Sequence, residues 1–348
     1  MGAAKQSARR QEQSETGQPG RKRMISTIRK AVLATAGAMA AMAPGIGQAE
    51  EVNVAFFLQW PTPNLVAKVN GDYEKAMGVD VNWTDFTTGT AMTEAMLSGD
   101  IDISYSQGLA PFVTAIQQGA PLKMVGIAVV YEANDCFVRK DLGIDSSNIS
   151  ELEGKTVAVP LNTMADYAFR RYMDYYGIDI STMTIVDQAP PDGARSLADG
   201  LVDMACVFGG IDTATAAEVG VPIMTSEQKR EAGIGSFDVV STTEKFATEH
   251  PDLVRAFMEA TAEANEAWEG TDEQIKIVAD ASGMTFEQAK QTIEGFIIPT
   301  VEEQCTKYFA PGGIAETAAA SLGLVFSDQT DKEMLAKTID GSFLGCSG

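Results

Sequence analysis

Histidine is nearly absent from this sequence: its 348 residues include one, His250. A Ser-His-Asp or Cys-His catalytic site, or a metal site with several histidines, would depend on this single residue. It lies in the stretch Glu249-His250-Pro251-Asp252, which is typical of the start of a helix. We therefore expect a protein that is not an enzyme and has neither a cofactor nor a metal site.

Positive charge is also scarce. The chain has 26 Lys and Arg against 48 Asp and Glu, which corresponds to a formal net charge of −22. A nucleic-acid-binding protein needs a basic surface, and so does a protein that docks on anionic lipid. We therefore expect no nucleic-acid partner. The excess of acidic residues favours solubility, but it gives no information about the fold.

Long hydrophobic runs are missing apart from one near the N-terminus. Residues 31–43 are almost entirely apolar and follow a basic stretch, which is the pattern of a signal peptide and is too short to span a membrane. We expect residues 1–49 to be removed by cleavage after Ala49, whether synthesis starts at the first methionine or at Met24. The remaining chain would carry a net charge of −28. No cysteine follows the run to carry a lipid anchor, so we expect a soluble periplasmic protein.

Cysteine is rare as well. The four cysteines all follow the predicted signal peptide, and they are Cys136, Cys206, Cys305 and Cys346. No two of them have the CxxC spacing that is common in redox and zinc sites. An even number in an exported protein favours disulfides, but the sequence leaves all three pairings open.

What the sequence does contain is a weak internal repeat. Residues 97–108 and 198–209 each indicate a helix end, a glycine turn, a strand with an apolar-Asp-apolar pattern and a glycine-containing loop. Each stretch is preceded by further strands and helices, so each half is predicted as β-α-β-α-β. This alternation indicates parallel sheets with right-handed crossovers. The alternative is chance periodicity. We favour an α/β fold with two similar lobes, a cleft between them and a helical last third.

Polar loops follow the predicted strands, at the sheet edge where α/β proteins bind ligands. They are rich in Ser, Thr, Asn, Gln and Gly and contain no Lys or Arg. Backbone N–H groups at helix starts attract anions, and hydroxyl and amide groups can assist them. The alternative is that these residues are ordinary N-caps and turns. The candidate ligand-binding residues in these loops are Gln59, Trp60, Thr88, Ser106, Gln107, Asn162 and Thr163.

Several stretches occur in an order and spacing that resemble a known family. These stretches are residues 81–91, 98–103, 110–112, 152–160, 188–191, 200–205, 237–240 and 250–257. On them the chain resembles the periplasmic substrate-binding proteins of ABC importers, within the taurine- and alkylsulfonate-binding family and most of all its taurine-binding branch. The resemblance implies an α/β, two-lobed periplasmic binding protein fold (type II-like), with a two-strand hinge and the ligand in the interlobe cleft.

The same resemblance implies how the chain is divided and what it binds. Lobe 1 would comprise residues 50–132 and 237–348, including the C-terminal helices, and lobe 2 residues 133–236. The expected partners are a taurine-like sulfonate and the permease of an ABC importer, and the protein is expected to be a monomer. The alternatives are a binding protein for another small amine, an amino acid or a pyrimidine-like solute, a sensor, and a small-metabolite enzyme on the same fold.

The resemblance also assigns roles to particular residues. Asp238 aligns with the carboxylate that pairs with the ligand ammonium, although it could instead cap a turn or lie in solvent. Phe208 stands where relatives often have a Trp-Ala-Pro turn, and we include it in the site. Trp60 could hold an ammonium by cation–π attraction or simply fill the core.

The implied fold places the strands that carry Cys136 and Cys206 side by side, which predicts a disulfide between them. A second disulfide would then join Cys305 to Cys346 and fasten the C-terminal tail. The alternative is four free buried thiols.

Overall fold

The computed structural model describes residues 51–327 and 329–347. The predicted signal peptide, residues 1–49, lies outside the described residues. Within the part that is described, no helix is long and apolar enough to cross a membrane.

The strands form two five-stranded sheets. The strands are β1 (Glu51–Phe57), β2 (Asp80–Phe86), β3 (Ile103–Gly108), β4 (Leu122–Glu132), β5 (Asp135–Arg139), β6 (Thr156–Val159), β7 (Thr184–Asp187), β8 (Met204–Val207), β9 (Gly220–Pro222) and β10 (Gly235–Thr243). The first sheet has the order β2-β1-β3-β10-β4, and the second has the order β7-β6-β8-β5-β9. The predicted α/β class with two similar halves is confirmed.

Helices connect the strands and make up most of the last third of the chain, as expected. The α-helices are α1 (Asn64–Asn70), α2 (Asp72–Met77), α3 (Gly89–Ser98), α4 (Leu109–Gln117), α5 (Met164–Tyr176), α6 (Pro190–Ala198), α7 (Gly210–Val219), α8 (Ser226–Glu231), α9 (Glu244–Glu249), α10 (Pro251–Glu266), α11 (Asp272–Ser282), α12 (Phe286–Glu294), α13 (Val301–Glu303), α14 (Ile314–Phe326) and α15 (Lys332–Lys337). Short 3₁₀ helices cover Lys140–Leu142, Ile149–Leu152, Ile180–Thr182 and Gly341–Leu344, and Gln304–Tyr308 forms a π-helical turn.

The internal repeat is visible in matching strand pairs. In the first sheet β1 is parallel to β2 and β3, and in the second β6 is parallel to β7 and β8. Asp102, just before β3, accepts the backbone N–H of Asn53 at 2.9 Å. Asp203, just before β8, accepts the backbone N–H of Thr156 at 2.9 Å. The Asp of the repeated pattern therefore has the same task in both halves, which is to hold the first and third strands together.

Two segments carry the chain from one sheet to the other. The first runs from β4 through Ala133 and Asn134 into β5, and the second leads from α8 into β10. Strand β10 lies antiparallel between β3 and β4, and β5 lies antiparallel between β8 and β9. The predicted lobe boundaries, at residues 133 and 236, fall at these two segments and stay predictions.

Both predicted disulfides are confirmed. Cys136 and Cys206 lie directly opposite each other on β5 and β8, which brings their sulfurs into bonding range. Cys305, in the π-helical turn, is joined to Cys346 near the C-terminus. Each bond connects segments that are far apart in the sequence, by 70 and 41 residues respectively.

Candidate functional site

A cavity lies where loops from both sheets meet. Its volume is about 310 Å³, which includes the space where it opens to solvent. Its lining residues are Phe57, Trp60, Gly89, Gly108, Pro111, Tyr131, Asn134, Thr163, Met164, Phe208 and Asp238. Four of the predicted site residues are among them: Trp60, Thr163, Phe208 and Asp238.

Asp238 is the one acidic residue among these, and its carboxyl group is held by two hydroxyl groups. Ser106 donates to Oδ2 at 2.8 Å, and the Tyr131 hydroxyl donates to Oδ1 at 2.9 Å. The side chain reaches this position because β10 lies between β3 and β4, so its neighbours come from both. Asp238 is 2% exposed, so the alternative of a solvent-exposed Asp is wrong.

The environment of Asp238 changes its ionisation. Burial raises the pKa of the Asp238 carboxyl to about 7, although the hydrogen bonds from Ser106 and Tyr131 act in the opposite direction. Burial also raises the pKa of the Tyr131 hydroxyl well above its usual value, and the charge of Asp238 adds to this effect. Near neutral pH the carboxyl is therefore close to half ionised, and a cation bound beside it would favour the carboxylate.

Trp60 forms an aromatic wall beside the carboxyl group. Its indole N–H donates to Ser106 Oγ at 3.0 Å, so Trp60, Ser106 and Asp238 form a hydrogen-bonded chain. The indole ring packs against Tyr131 and Phe296, with ring centroids 5.0 and 4.7 Å apart. Trp60 is thus a packed residue that also forms part of the cavity wall, and its role in holding an ammonium stays a prediction.

The starts of three helices line the same cavity. Gly89 is the first residue of α3, Gly108 precedes α4, and Thr163 precedes α5. The Thr163 hydroxyl caps α5 by accepting the backbone N–H of Ala165 at 3.2 Å. Of the residues that the structure describes, none with a basic side chain lines this cavity. Any attraction for an anion here therefore comes from backbone N–H groups and helix dipoles.

Close approach of the backbone makes Gly108 necessary. A Cβ atom on Gly108 would lie 2.9 Å from Met164 Cγ and 3.6 Å from Asp238 Oδ1. Met164 comes from α5, and its sulfur accepts the backbone N–H of Ala110 in α4 at 3.1 Å. A larger residue at position 108 would push Met164 of α5 away from α4, and these two helices form opposite parts of the cavity wall.

Strained backbone is concentrated in the site loops. Among the residues that the structure describes, the non-glycine residues with positive φ are Gln59 at 58°, Ser106 at 67° and Asn162 at 59°. Gln59 and Asn162 occupy equivalent positions after the first strand of each half. Non-glycine residues adopt this conformation at a cost, and it is retained mainly where function needs it.

Three other predicted residues have protein partners instead of lining the cavity. Thr88 caps α3 by accepting the backbone N–H of Ala91, as the N-cap alternative proposed. The backbone N–H of Asn162 donates to Asp166. The Gln59 side chain contacts the start of α7.

Gln107 requires a correction. Its side-chain amide donates to Thr93 and accepts from Ser241, and the residue is fully buried between α3 and β10. Both ends of the amide are thus engaged in the core, so the placement of Gln107 in the ligand site is wrong. Ser106, one residue earlier, supports the site through Asp238 and Trp60.

Sequence reasoning missed Tyr131 and Asn134. Both lie where the chain leaves the first sheet, and both line the cavity. Asn134 is 9% exposed, and among the described residues its Oδ1 atom has no hydrogen-bond partner. The predicted lobe boundary at residue 133 was the available signal, because a hinge beside the cleft places its side chains near the ligand.

The described lining residues of the cavity include neither histidine nor cysteine, and Asp238 is the one acidic residue among them. Within the described ranges, no group of three or more His, Cys, Asp or Glu residues is placed to hold a metal ion. His250 lies immediately before α10, which confirms its predicted position at a helix start, and its ring packs on Phe246. It does not line the cavity.

Comparison with known proteins agrees with the fold. The chain matches the family described as NMT1/THI5 like over residues 61–273, more than half of its length. It is 27% identical to the taurine-binding periplasmic protein of Escherichia coli (strain K12) over 281 residues, which cover 78% of this chain and 86% of that protein.

Solved structures extend the likeness in fold. The alkanesulfonate-binding protein SsuA from Xanthomonas axonopodis pv. citri has a TM-score of 0.64 at 18% identity and covers 83% of this chain and 98% of its own. The periplasmic aliphatic sulphonate binding protein SsuA from Escherichia coli has a TM-score of 0.62 at 18% identity, with 84% and 96% covered. At these identities the likeness concerns the fold, which is that of periplasmic binding proteins. The chain has this two-lobed fold and belongs to the NMT1/THI5-like family.

Proposed function

We propose that this protein captures taurine, or a similarly short amino-sulfonate, in the periplasm and delivers it to the permease of an ABC importer without chemical turnover. One observation carries the proposal. The buried carboxyl group of Asp238 lines the same small cavity as the starts of α3, α4 and α5. Such a cavity offers a partner for a cation and a partner for an anion in one enclosed space.

The cationic end of the ligand would bind at Asp238. A buried ammonium is costly unless it is paired, and a carboxylate is its natural partner. Asn134 lines the same wall, and its buried Oδ1 atom has no hydrogen-bond partner among the described residues. The faces of Trp60 and Phe208 can add cation–π attraction.

The anionic end would bind at the helix starts. Gly89, the first residue of α3, and Gly108, which precedes α4, both line the cavity, and its described lining residues include no basic side chain. A sulfonate keeps its charge throughout the physiological pH range, so it suits a site made of fixed dipoles.

The spacing favours a short ligand. Gly108 and Asp238 are direct partners across β3 and β10, and such partners lie about 5 Å apart. The anionic and cationic ends of the ligand are therefore held by neighbouring residues, and a two-carbon spacer connects groups at this separation.

The wider context agrees with a role in import. The taurine-binding periplasmic protein of Escherichia coli matches 78% of this chain. The sequence predicts export through the signal peptide at residues 1–49, and a soluble monomer that meets a permease at the membrane. A small amine, an amino acid or a pyrimidine-like solute is the alternative ligand class.

Calorimetry of taurine and ethanesulfonate tests the proposal, because the two ligands differ by the amine. We expect the wild-type protein to prefer taurine. The Asp238→Ala variant should lose about 2–5 kcal/mol of taurine binding and much less of ethanesulfonate binding. Equal losses for both ligands would assign Asp238 to the fold instead. A wild-type protein that ignores taurine but binds another solute tightly would refute the taurine assignment.

A further inference from the structure

A groove lies on the opposite side of β4 and β10 from the ligand cavity. Phe237 of β10 and Val130 of β4 are register partners, and both line the groove. The next residue of each strand, Asp238 and Tyr131, lines the cavity instead. Successive side chains of a strand point to opposite faces, so the two spaces lie on opposite faces of these strands. Of the described residues, Met164 alone lines both.

The groove is open and offers apolar surface. Its volume is about 970 Å³, which includes the space where it opens to solvent. Phe237 packs edge to face on Tyr308, with ring centroids 5.8 Å apart. Ile314, the first residue of α14, is 42% exposed, and Thr317 and Ser321 are exposed further along the same helix. The apolar residues that line the groove include Leu109, Val130, Met164, Phe237, Ile314 and Leu322.

Arg171 of α5 carries the one charge among the described lining residues. Its guanidinium donates to the Tyr167 hydroxyl at 3.0 Å and to the Ala232 carbonyl at 3.3 Å. Tyr167 lines the groove, and Ala232 precedes Gly233, which also lines it. These two bonds therefore hold the guanidinium at one end of the groove. Both acceptors are neutral, and within the described part of the chain Arg171 forms no ion pair.

The guanidinium of Arg171 has donors left for an anion. A guanidinium has five N–H groups, and the two bonds to Tyr167 and Ala232 leave the others available. Two parallel N–H groups match the two oxygens of a carboxylate. The chain has 48 acidic and 26 basic residues, so this cation is unpaired in a protein where carboxylates are in excess. A carboxylate from outside the chain would therefore find a positioned and uncompensated partner here.

We propose that the groove is a second ligand site, separate from the cleft, which binds an amphipathic carboxylic acid. The carboxylate would pair with Arg171, and the apolar body would lie along Phe237 and Ile314. A ligand with a second negative charge would find no second cation, and an uncharged apolar ligand would leave Arg171 unpaired. Aliphatic and aromatic acids share this chemistry, and the test below separates them. The proposal does not use the taurine assignment, so either one can fail alone.

The test compares octanoate with octanamide by calorimetry, because the two have the same chain and differ in charge. We expect the wild type to bind octanoate with a Kd below about 1 mM and at least about tenfold more tightly than octanamide. Arg171→Gln should remove this preference. Arg195→Gln makes the same change of charge at an exposed position on α6 and should keep it. Phenylpropionate is titrated in parallel, and the tighter of the two acids identifies the apolar body that the groove prefers.

Variants on α14 show where octanoate binds and do not depend on the folding of Arg171→Gln. Ser321 is exposed and lines the groove, so Ser321→Trp should fill part of it and weaken octanoate binding about tenfold or more. Ser321→Ala leaves the groove open and should bind octanoate as the wild type does. Asp238→Ala, in the cleft, should also leave octanoate binding unchanged.

Three results would overturn the second site. The first is that neither acid binds the wild type. The second is that octanoate binds no more tightly than octanamide, which would show that the charge of Arg171 is not used. The third is that octanoate binding is lost in Asp238→Ala and kept in Ser321→Trp, which would place octanoate in the cleft. None of these results bears on whether the cleft binds taurine.

Discussion

Gln59 and Asp212 are joined across the cleft, since Gln59 Nε2 donates to Asp212 Oδ2 at 3.4 Å. Gln59 Oε1 also accepts the backbone N–H groups of Ile211 and Asp212 at 2.9 and 3.2 Å. Gln59 follows β1 of the first sheet, whereas α7 packs on the second. The residue before α7, Gly209, has no side chain to cap the helix, so Gln59 provides the cap from the other sheet. This contact holds the two lobes together through protein atoms alone.

Replacing Gln59 should therefore destabilise the closed state, in which the two lobes are in contact across the cleft. Loss of a helix cap is worth about 1 kcal/mol, so Gln59→Ala should weaken taurine and ethanesulfonate binding alike, by about fivefold. Small-angle scattering should show a larger radius of gyration for the ligand-free variant, with contraction on adding taurine. Asn162→Ala is the matched control, because Asn162 has nearly the same positive φ at the equivalent position. If the control loosens the protein as much as Gln59→Ala, the cap explanation is wrong.

Taurine affinity should depend on pH through Asp238. The carboxyl group has a pKa of about 7 in the free protein, and the ligand ammonium pairs with the carboxylate form. Protonation competes with binding, so affinity should be constant above about pH 8 and fall by up to about tenfold for each pH unit below 7. Calorimetry between about pH 5.5 and 8 measures the slope. Ethanesulfonate should lack this decrease, and a flat profile for taurine would contradict a role for Asp238 in binding the amine.

The same ionisation should make the ligand-free protein less stable at higher pH. Asp238 has a pKa of about 7 when folded, against about 3.9 when unfolded, so the folded state binds the proton more tightly. Its contribution to stability is full below about pH 4 and is lost as pH rises through 7. At about 1.4 kcal/mol per pKa unit, the loss reaches about 4 kcal/mol at pH 8 and above.

Asp238→Asn should remove most of this pH dependence. The variant has no charge to bury, so it should gain stability over the wild type at pH 8 and show little gain at pH 4. Urea unfolding at the two pH values measures both differences. Asp174→Asn, at an exposed position on α5, is the control and should change neither value. An Asp238→Asn protein that is less stable at pH 8 would show that the carboxylate stabilises the fold.

Both disulfides should be formed in the exported protein. Thiol titration of the denatured, unreduced protein should detect no reactive groups, whereas four would contradict both bonds. For closed loops of 70 and 41 residues, the chain-entropy account assigns about 4 kcal/mol to each bond. The double variants Cys136→Ser/Cys206→Ser and Cys305→Ser/Cys346→Ser should lose that stability, as measured by urea unfolding. Of the two double variants, only Cys136→Ser/Cys206→Ser is expected to affect the lobe that carries α7.

Much of the fold could be predicted because local patterns repeat. The apolar-Asp-apolar strands after a glycine turn indicated two similar halves, and the structure shows Asp102 and Asp203 making the same contact in each. The implied disulfide between Cys136 and Cys206 followed from strand neighbours that the fold makes unavoidable. Asp238 was identified through resemblance, because nothing in its own neighbourhood distinguishes it from a turn residue.

The sequence by itself determined the α/β class, the repeat and the loops that line the cleft, since strand and helix periodicity and glycine turns are local properties. Only the tertiary structure decided which side chains in those loops meet. The bond between Ser106 and Asp238 spans 132 residues of sequence, and it places Ser106 at the site while the adjacent Gln107 is engaged in the core. Which of these two neighbours contacts Asp238 depends on the positive φ of Ser106 and on the packing of β10 against β3. Contacts of this kind arise when distant strands pair, so no local pattern can specify them.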